Sequence, residues 1–324
     1  MDPTDLPALF AHRARPKWGL AILAWEGRDK RRYQFQDGKA RTFKEGFYRF
    51  LEEVDRPVDV TASVVAELER MLEVSRGREK QIEQAQATGR TLITLEDQVK
   101  IFSLCYEQGF QDPAYEDDFR GVEGKSLKRH LDPAVEKAGE IFAEERLAEL
   151  VEKDDVSAFL KETSELLGST SLTSGKSHAG LFDAMPEANG KAFVKALQGL
   201  LYAETKVEQR FDALVAALSY GNTTPTWQLA SAFGALALPM EHIYVRPSVF
   251  RDQARWMAPQ LDDGSNVSGP VYARYRNMGM RIMKRLREAG LKPRDMLDVY
   301  GFMWTTLRPK GRELLEQAKA AAAS

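Results

Sequence analysis

Residues 16–48 carry hydrophobic patterns that are typical of short β-strands. Residues 20–24 predict a strand that is apolar on both faces, and Tyr33 and Phe35 predict a half-buried strand. Asp37-Gly38 favours a type I′ hairpin turn, in which both central residues need a positive φ, and residues 41–43 resume a third strand. Because three short strands bury little apolar surface alone, we expect them to close into a barrel or to pack on helices.

The chain beyond residue 57 carries the apolar spacing and the boundary residues of helices. Thr94 with Asp97 three residues later approximates a capping box, and Asp132-Pro133 places a cap before a proline at the first helical position. Residues 168–180 are rich in small residues and predict a loop. Residues 227–238 are nearly all apolar, so we expect this helix at the centre of the helical body.

A short N-terminal segment resembles a known family of small barrels. The residues that carry the resemblance are His12, Pro16, Lys17, Trp18 and Gly19, followed by two short strands and Asp37-Gly38-Lys39. Residues 10–55 are thereby similar to the Tudor-like (SH3-like) barrels that begin CarD-type regulators and end superfamily-1 repair helicases. Three residues separate His12 from Pro16, and Leu20-Ala21 stands where the family commonly has glycine. The resemblance implies binding to RNA polymerase or nucleic acid.

These observations predict an α+β fold that is predominantly α. Pro57 ends the element before it, so the predicted domains are a Tudor-like (SH3-like) β-barrel at residues 8–56 and one all-helical domain at residues 58–324. Residues 109–115, 226–247 and 294–304 resemble segments of an uncharacterised bacterial helical family. That second resemblance implies one contiguous helical domain and adds no chemistry.

Composition narrows the class of protein. The chain has 324 residues, of which 43% are hydrophobic and 29% charged, and its apolar runs fall well short of the roughly 20 residues that a membrane span needs. Its first ten residues lack a basic segment followed by an apolar core, and it has a single cysteine, Cys105. We therefore expect a cytoplasmic protein that makes no membrane contact.

Charge is distributed unevenly along the chain. The net charge is -2, yet residues 11–56 hold twelve Lys/Arg against seven Asp/Glu, which gives 12 − 7, or +5. Helix-like residues 272–287 are also rich in arginine and lysine and poor in acids. The residues that we expect to bind nucleic acid or a partner are Lys17, Trp18, Arg28, Lys30, Arg31, Arg32 and Tyr33 in the barrel and Arg274, Arg281 and Arg285 on the helix. A solubilising turn and a solvated helix face are the alternatives.

No candidate catalytic group is well supported by the sequence. Residues 170–177 end like a phosphate-binding loop but lack its first glycine and a preceding strand. Glu116-Asp117-Asp118 suits a solvated helix start better than a metal site. The four histidines are scattered, and one cysteine gives no zinc spacing, so we predict no metal, cofactor or catalytic residue. His242, which follows the apolar helix, is the remaining candidate for a hydrolase centre.

The first functional hypothesis is a non-catalytic bacterial adaptor in transcription, repair or phage defence. Its expected partners are DNA, RNA, RNA polymerase or another protein of a nucleic-acid machine, contacted through the basic barrel and the basic helix. The second hypothesis is a protein-interaction subunit without nucleic-acid contact. The third is a hydrolase centred near His242. The sequence leaves the oligomeric state open.

Overall fold

The structure is a computed structural model that describes residues 6–55, 57–87, 93–121, 131–152, 155–221, 223–257 and 266–323. The chain divides into two compact units, residues 1–92 with 257–260 and residues 93–256 with 261–324. A five-stranded antiparallel sheet is followed by helices, which confirms the predicted α+β, predominantly α, fold class. The boundary between residues 8–56 and 58–324 stays a prediction.

The sheet is built from short strands in the first unit. They are β1 Leu9–His12, β2 Leu20–Glu26, β3 Lys30–Phe35, β4 Ala40–Lys44 and β5 Leu51–Glu53, in the spatial order β4-β3-β2-β1-β5. The turn after β3 differs from the predicted type I′ turn, because Gly38 has a φ of 83° and no non-glycine residue has a positive φ in the described chain. The Phe35 amide donates to the Lys39 carbonyl, so Gly38 closes a longer hairpin loop.

Each face of this sheet carries a buried core. One face holds Ala21, Tyr33 and Phe35, with Phe10 and Trp18 among the side chains packed against them. Helix α1 (Val58–Ala87) packs on the opposite face. Leu9 and Ile22 of that face form a core with Val65, Leu68 and Leu72 of α1. This packing explains why β2 is apolar on both sides.

The second unit is helical in its described parts. Its helices are α2 Leu95–Cys105, α3 Pro113–Tyr115, α4 Asp132–Ile141, α5 Glu144–Glu152, α6 Ser157–Ser169, α7 Gly175–Asp183, α8 Glu187–Tyr202, α9 Val207–Leu218, α10 Trp227–Ala237, α11 Pro247–Met257, α12 Gly269–Glu288, α13 Met296–Leu307 and α14 Pro309–Ala323. Helix α10 buries Trp227 and every position from 229 to 236, as its sequence predicted. Within the described ranges, no helix has the length and apolarity needed to cross a membrane.

The predicted loop at residues 168–180 is partly wrong, because α7 begins inside it at Gly175. The Ser177 hydroxyl donates to the Ser174 carbonyl, and the Ser174 amide donates to His178 Nδ1. These local bonds satisfy polar groups at the start of the helix. Small residues therefore form a helix start here rather than an extended loop.

A buried arginine joins a π-helix, Glu116–Arg120, to α13. The Arg120 side chain is 1% exposed, and its Nη2 lies 2.5 Å from both Asp295 Oδ1 and Asp298 Oδ1. Arg120 Nε also donates to Asp298 Oδ1 at 2.8 Å, and the Tyr115 hydroxyl donates to the same oxygen at 2.9 Å. The network compensates a buried cation with carboxylates from an element far away in sequence.

Candidate nucleic-acid interface

The register of β2 and β3 decides which side chains share a face. Leu23 lies opposite Tyr33, but Trp25 lies opposite Arg32, because the register shifts between Leu23 and Trp25. Directly opposite residues of an antiparallel pair point to the same face. The bulge therefore moves Trp25 from the face of Tyr33 to the face of Arg32.

An exposed aromatic ring and several cations meet on that face. Trp25 is 54% exposed, Arg32 lies opposite it, and Lys30 lies opposite Lys44 of β4. Arg28 is exposed in the turn between β2 and β3. We name these five residues (Trp25, Arg28, Lys30, Arg32 and Lys44) the Trp25 face. Two lysines directly opposite each other repel, and a polyanion placed over them relieves that repulsion.

Gly27 lets the Trp25 ring fold back over the turn. A Cβ atom at Gly27 would lie 2.3 Å from Cη2 of Trp25, which is too close for any side chain. Next to the ring, the Arg76 Nη2 of α1 donates to the Ala24 carbonyl at 2.9 Å. The indole therefore lies over Gly27 and is still 54% exposed.

Tyr33, which the sequence selects as a binding residue, is buried. It is 1% exposed, and its ring packs edge-on against Phe10 at 5.1 Å and Phe43 at 6.0 Å. Because the strand alternation points Tyr33 into the sheet core, its ring cannot stack on a base. Its place beside the cations is taken by Trp25, which the sequence analysis did not select.

Arg31 is held on the core side of the sheet. Its Nη2 lies 2.7 Å from Glu26 Oε1, and its guanidinium lies 4.5 Å from the Tyr48 ring centroid. A guanidinium that pairs with a carboxylate and stacks on a ring has fewer free donors for a phosphate. Arg31 therefore lies apart from the cations of the Trp25 face.

Lys17 and Trp18 occupy a different part of the same unit. Lys17 is exposed, whereas Trp18 is partly buried and packs edge-on against Phe35 at 5.3 Å. The Arg41 guanidinium lies 3.9 Å from the Trp18 centroid and donates to both Asp37 oxygens, at 2.9 and 2.6 Å. Arg41 thereby lowers the pKa of Asp37 and covers a face of the indole, which leaves Trp18 less accessible than Trp25.

The basic residues predicted on helix α12 are exposed in the second unit. Arg274, Arg281 and Arg285 point away from the buried side, which includes Met278 and Ile282. Among the described carboxylates, Arg285 makes only long contacts, 3.9 Å to Glu96 and 3.8 Å to Glu288. Within the described chain, Arg274 and Arg281 pair with no carboxylate. We name Arg274, Arg281 and Arg285 the α12 stripe.

His242, the predicted hydrolase candidate, lies in the core of the second unit and is 1% exposed. The Ile243 amide donates to the Tyr272 hydroxyl at 3.3 Å, so that hydroxyl is placed to donate to His242 Nδ1, 3.0 Å away. Neutral His242 then carries its proton on Nε2, which has no partner among the described residues. This tautomer has no free ring lone pair to act as a general base.

The other candidate chemical groups have structural partners. Helix α6 precedes the segment that ends like a phosphate-binding loop. Glu116 pairs with Arg294 at 3.2 Å, and Asp118 accepts from the Tyr106 hydroxyl at 3.1 Å. In the described ranges, no three His, Cys, Asp or Glu side chains are grouped to hold a metal ion. His130 lies outside the described residues.

Comparison with protein-family models, with curated protein sequences and with solved structures finds no match to this chain. The candidate function therefore rests on the geometry of the chain's own side chains. In that geometry the Trp25 face and the α12 stripe are exposed basic surfaces that suit a polyanion.

Proposed function

We propose that this protein is a non-catalytic adaptor that binds single-stranded DNA or RNA through the Trp25 face. The observation that carries the proposal is an indole, 54% exposed, on a sheet face with Lys30, Arg32 and Lys44. Proteins that bind single strands combine aromatic platforms for the bases with cations that follow the phosphates. Both components are present on three neighbouring strands.

In this mechanism a base stacks on Trp25, and neighbouring phosphates contact the cations around it. Every base offers a π-face, so binding is weakly sequence-specific. The α12 stripe is a second basic surface, suited to phosphates or to acidic groups of a protein partner. Its role is to dock the helical unit on the same nucleic-acid machine.

The biological setting follows from the resemblance to Tudor-like barrels. A five-stranded antiparallel sheet is compatible with such a barrel, and the family's partners are RNA polymerase and nucleic acid. We propose a role in transcription, repair or phage defence in the bacterial cytoplasm. Arg31 and Trp18 have partners inside the unit. In this proposal they stabilise the unit and do not contact the nucleic acid.

A second candidate function is a protein-interaction subunit. Its support is the exposure of large apolar side chains in the same unit, including Trp25 at 54% and Phe47 at 56%. Aromatic residues are enriched at protein interfaces. In that case the sheet would contact a partner protein without binding nucleic acid.

Fluorescence anisotropy with labelled single- and double-stranded DNA and with RNA, at several salt concentrations, tests the proposal. Trp25→Ala should weaken single-strand binding by about 1–3 kcal/mol, the typical value of one stacked base. The matched control is Phe47→Ala, which removes an equally exposed ring from elsewhere in the unit. Equal affinities of the Trp25 and Phe47 variants would contradict the proposed stacking site.

The contribution of the cations of the Trp25 face to binding is tested separately. The double variant Lys30→Gln/Arg32→Gln should flatten the salt dependence of single-strand binding, by about 0.7 in the log–log slope for each lost phosphate contact. Arg15→Gln/Lys39→Gln removes the same charge from exposed positions elsewhere in the unit and should leave the slope nearly unchanged. If the wild-type protein binds no oligonucleotide at low salt, the protein-interaction alternative is favoured.

A further inference from the structure

Two arginines flank one tryptophan in the helical unit, away from the α12 stripe in sequence. The guanidinium carbons of Arg246 and Arg308 lie 4.5 and 4.2 Å from the centroid of the Trp304 ring. Both distances are measured from the Trp304 centroid. The two guanidinium carbons can therefore be no farther apart than the sum of the two distances. Tyr300, one helical turn before Trp304, lies with its ring centroid 6.2 Å from that of the indole.

The positive charge of this cluster is not neutralised by the described chain. No described carboxylate forms an ion pair with Arg246 or Arg308. Asp252, the acidic residue of α11, instead lies 2.9 Å from Arg255 and 3.9 Å from Arg312. Two cations held near each other without a counter-charge repel each other, and an anion that contacts both reduces that repulsion.

Both arginines lie at helix ends. Arg246 immediately precedes Pro247, the first residue of α11, and Arg308 immediately precedes Pro309, the first residue of α14. Helix N-termini carry partial positive charge, and acidic residues are the favoured side chains there. Arg246 thereby adds to the positive end of α11, whereas Arg308 stands at the C-terminal end of α13 as well, where a cation is favoured.

The donors in the cluster fit phosphate oxygens. A guanidinium offers a planar fork of N–H groups that can bind phosphate in a bidentate manner. The Tyr300 side chain is 6% exposed, and burial raises the pKa of its hydroxyl to about 12, so it keeps its proton at neutral pH. Because two guanidinium groups already lie close to its ring, Trp304 orients the cations rather than stacking on a base.

We propose that Arg246, Arg308 and the Tyr300 hydroxyl form a binding site for a diphosphate group, oriented by Trp304. Two guanidinium groups match a ligand with two phosphate groups better than a single phosphate. The partial burial of Arg246 and Trp304 and the burial of Tyr300 favour a compact ligand over a nucleic-acid duplex. The site is independent of the Trp25 face and of single-strand binding.

Isothermal titration calorimetry of the full chain with inorganic pyrophosphate tests this site, with orthophosphate as the comparison ligand. We expect pyrophosphate to bind more tightly than orthophosphate. The double variant Arg246→Gln/Arg308→Gln should weaken pyrophosphate binding at least about tenfold, which corresponds to about 1.4 kcal/mol. Arg287→Gln, an exposed cation on α12, is the matched control and should bind like the wild type.

A conservative double variant controls for misfolding of the glutamine double variant. Arg246→Lys/Arg308→Lys keeps the charge but removes the planar fork, so it should fold and still bind pyrophosphate less tightly than the wild type. Pyrophosphate affinity that is equal in the wild type and both double variants would overturn the proposal. So would an effect of these variants on oligonucleotide binding alone, because that result would assign the cluster to nucleic acid.

Discussion

At the scale of single residues, the helical unit contains charges that are stable only because of their partners. Arg120 is fully buried against Asp298 and Asp295, while Arg294 reaches the same group of acids from a more exposed position, 3.2 Å from Asp132. Breaking a buried pair leaves an uncompensated charge, whereas exposed pairs contribute little. The two arginines should therefore differ sharply in their contribution to stability.

Replacing Arg120 by methionine should lower the free energy of unfolding by about 3–5 kcal/mol, because the buried Asp298 then keeps, among the described cations, only a long contact of 3.7 Å with Arg294. The Arg294→Met variant is the control, and its loss should stay below about 1 kcal/mol. Urea denaturation followed by circular dichroism measures both values. Similar losses for the two variants would show that the buried pairs matter no more than the exposed ones.

The burial of His242 leads to a prediction of how stability depends on pH. Burial lowers its pKa from the ordinary 6.5 to about 3, with a smaller contribution from Arg276 and Arg210. The unfolded chain therefore binds a proton below pH 6.5 that the folded chain does not accept until about pH 3. The contribution of neutral His242 to stability is present above pH 6.5 and is lost as the pH falls through this window.

The test is a series of urea denaturation curves between pH 7 and pH 4.5. Over the acidic part of this range, His242 should account for up to about 1.4 kcal/mol of lost stability per pH unit. His242→Gln removes the titrating group, so its stability should fall less steeply than that of the wild type measured beside it. Parallel pH profiles would mean that His242 is accessible to protons in the folded protein.

At the scale of elements, helix starts are determined locally. The Thr94 hydroxyl accepts from the Asp97 amide at 3.0 Å, and the Asp97 carboxylate accepts from the Thr94 amide at 3.3 Å, so the predicted capping box is present at the start of α2. Both bonds satisfy amides that the helix itself leaves unpaired. All of the groups involved lie within four residues.

Thr94→Ala should destabilise the helical unit by about 1 kcal/mol, the usual cost of losing an N-cap side chain. Thr94→Ser keeps the hydroxyl and serves as the control, with a loss of only a few tenths of a kcal/mol expected. Thermal unfolding followed by circular dichroism compares the two variants. A serine variant as unstable as the alanine variant would point to the threonine methyl group rather than to the cap.

At the scale of the whole molecule, each unit has its own core. The sheet of the first unit depends on α1, since Leu9 and Ile22 are buried against Val65, Leu68 and Leu72. Without that helix, one apolar face of the sheet would be exposed to water, at a cost of roughly 25 cal/mol for each Å². The predicted domain of residues 8–56 omits α1 entirely.

A fragment of residues 1–92 should therefore fold, whereas residues 6–55 alone should not. Dispersion of amide signals in NMR spectra of the two fragments measures this difference. The long fragment is the control for expression and handling of the isolated unit. A well-dispersed spectrum of the short fragment would instead support an independent domain at residues 8–56.

The sequence alone determined the type of most elements and many of their ends. Period-two alternation indicates strands and 3.6-residue spacing indicates helices, because both follow from backbone geometry within a few residues. The apolar helix predicted at residues 227–238 is α10, and the capping box of α2 is confirmed. The predicted type I′ turn after β3 and the predicted loop at the start of α7 were wrong, because alternative local hydrogen bonds form there.

Only the tertiary structure decided which side chains are exposed at the candidate site. Simple alternation would place Trp25 on the core face with Leu23, but one bulge in β2 turns it outward opposite Arg32. The same pairing buries Tyr33. Arg120 and Asp298 meet although 178 residues separate them. Arg246 and Trp304 also meet across a long stretch of sequence. A bulge and a long-range contact depend on packing energies summed over distant segments, so the local pattern of residues cannot determine them.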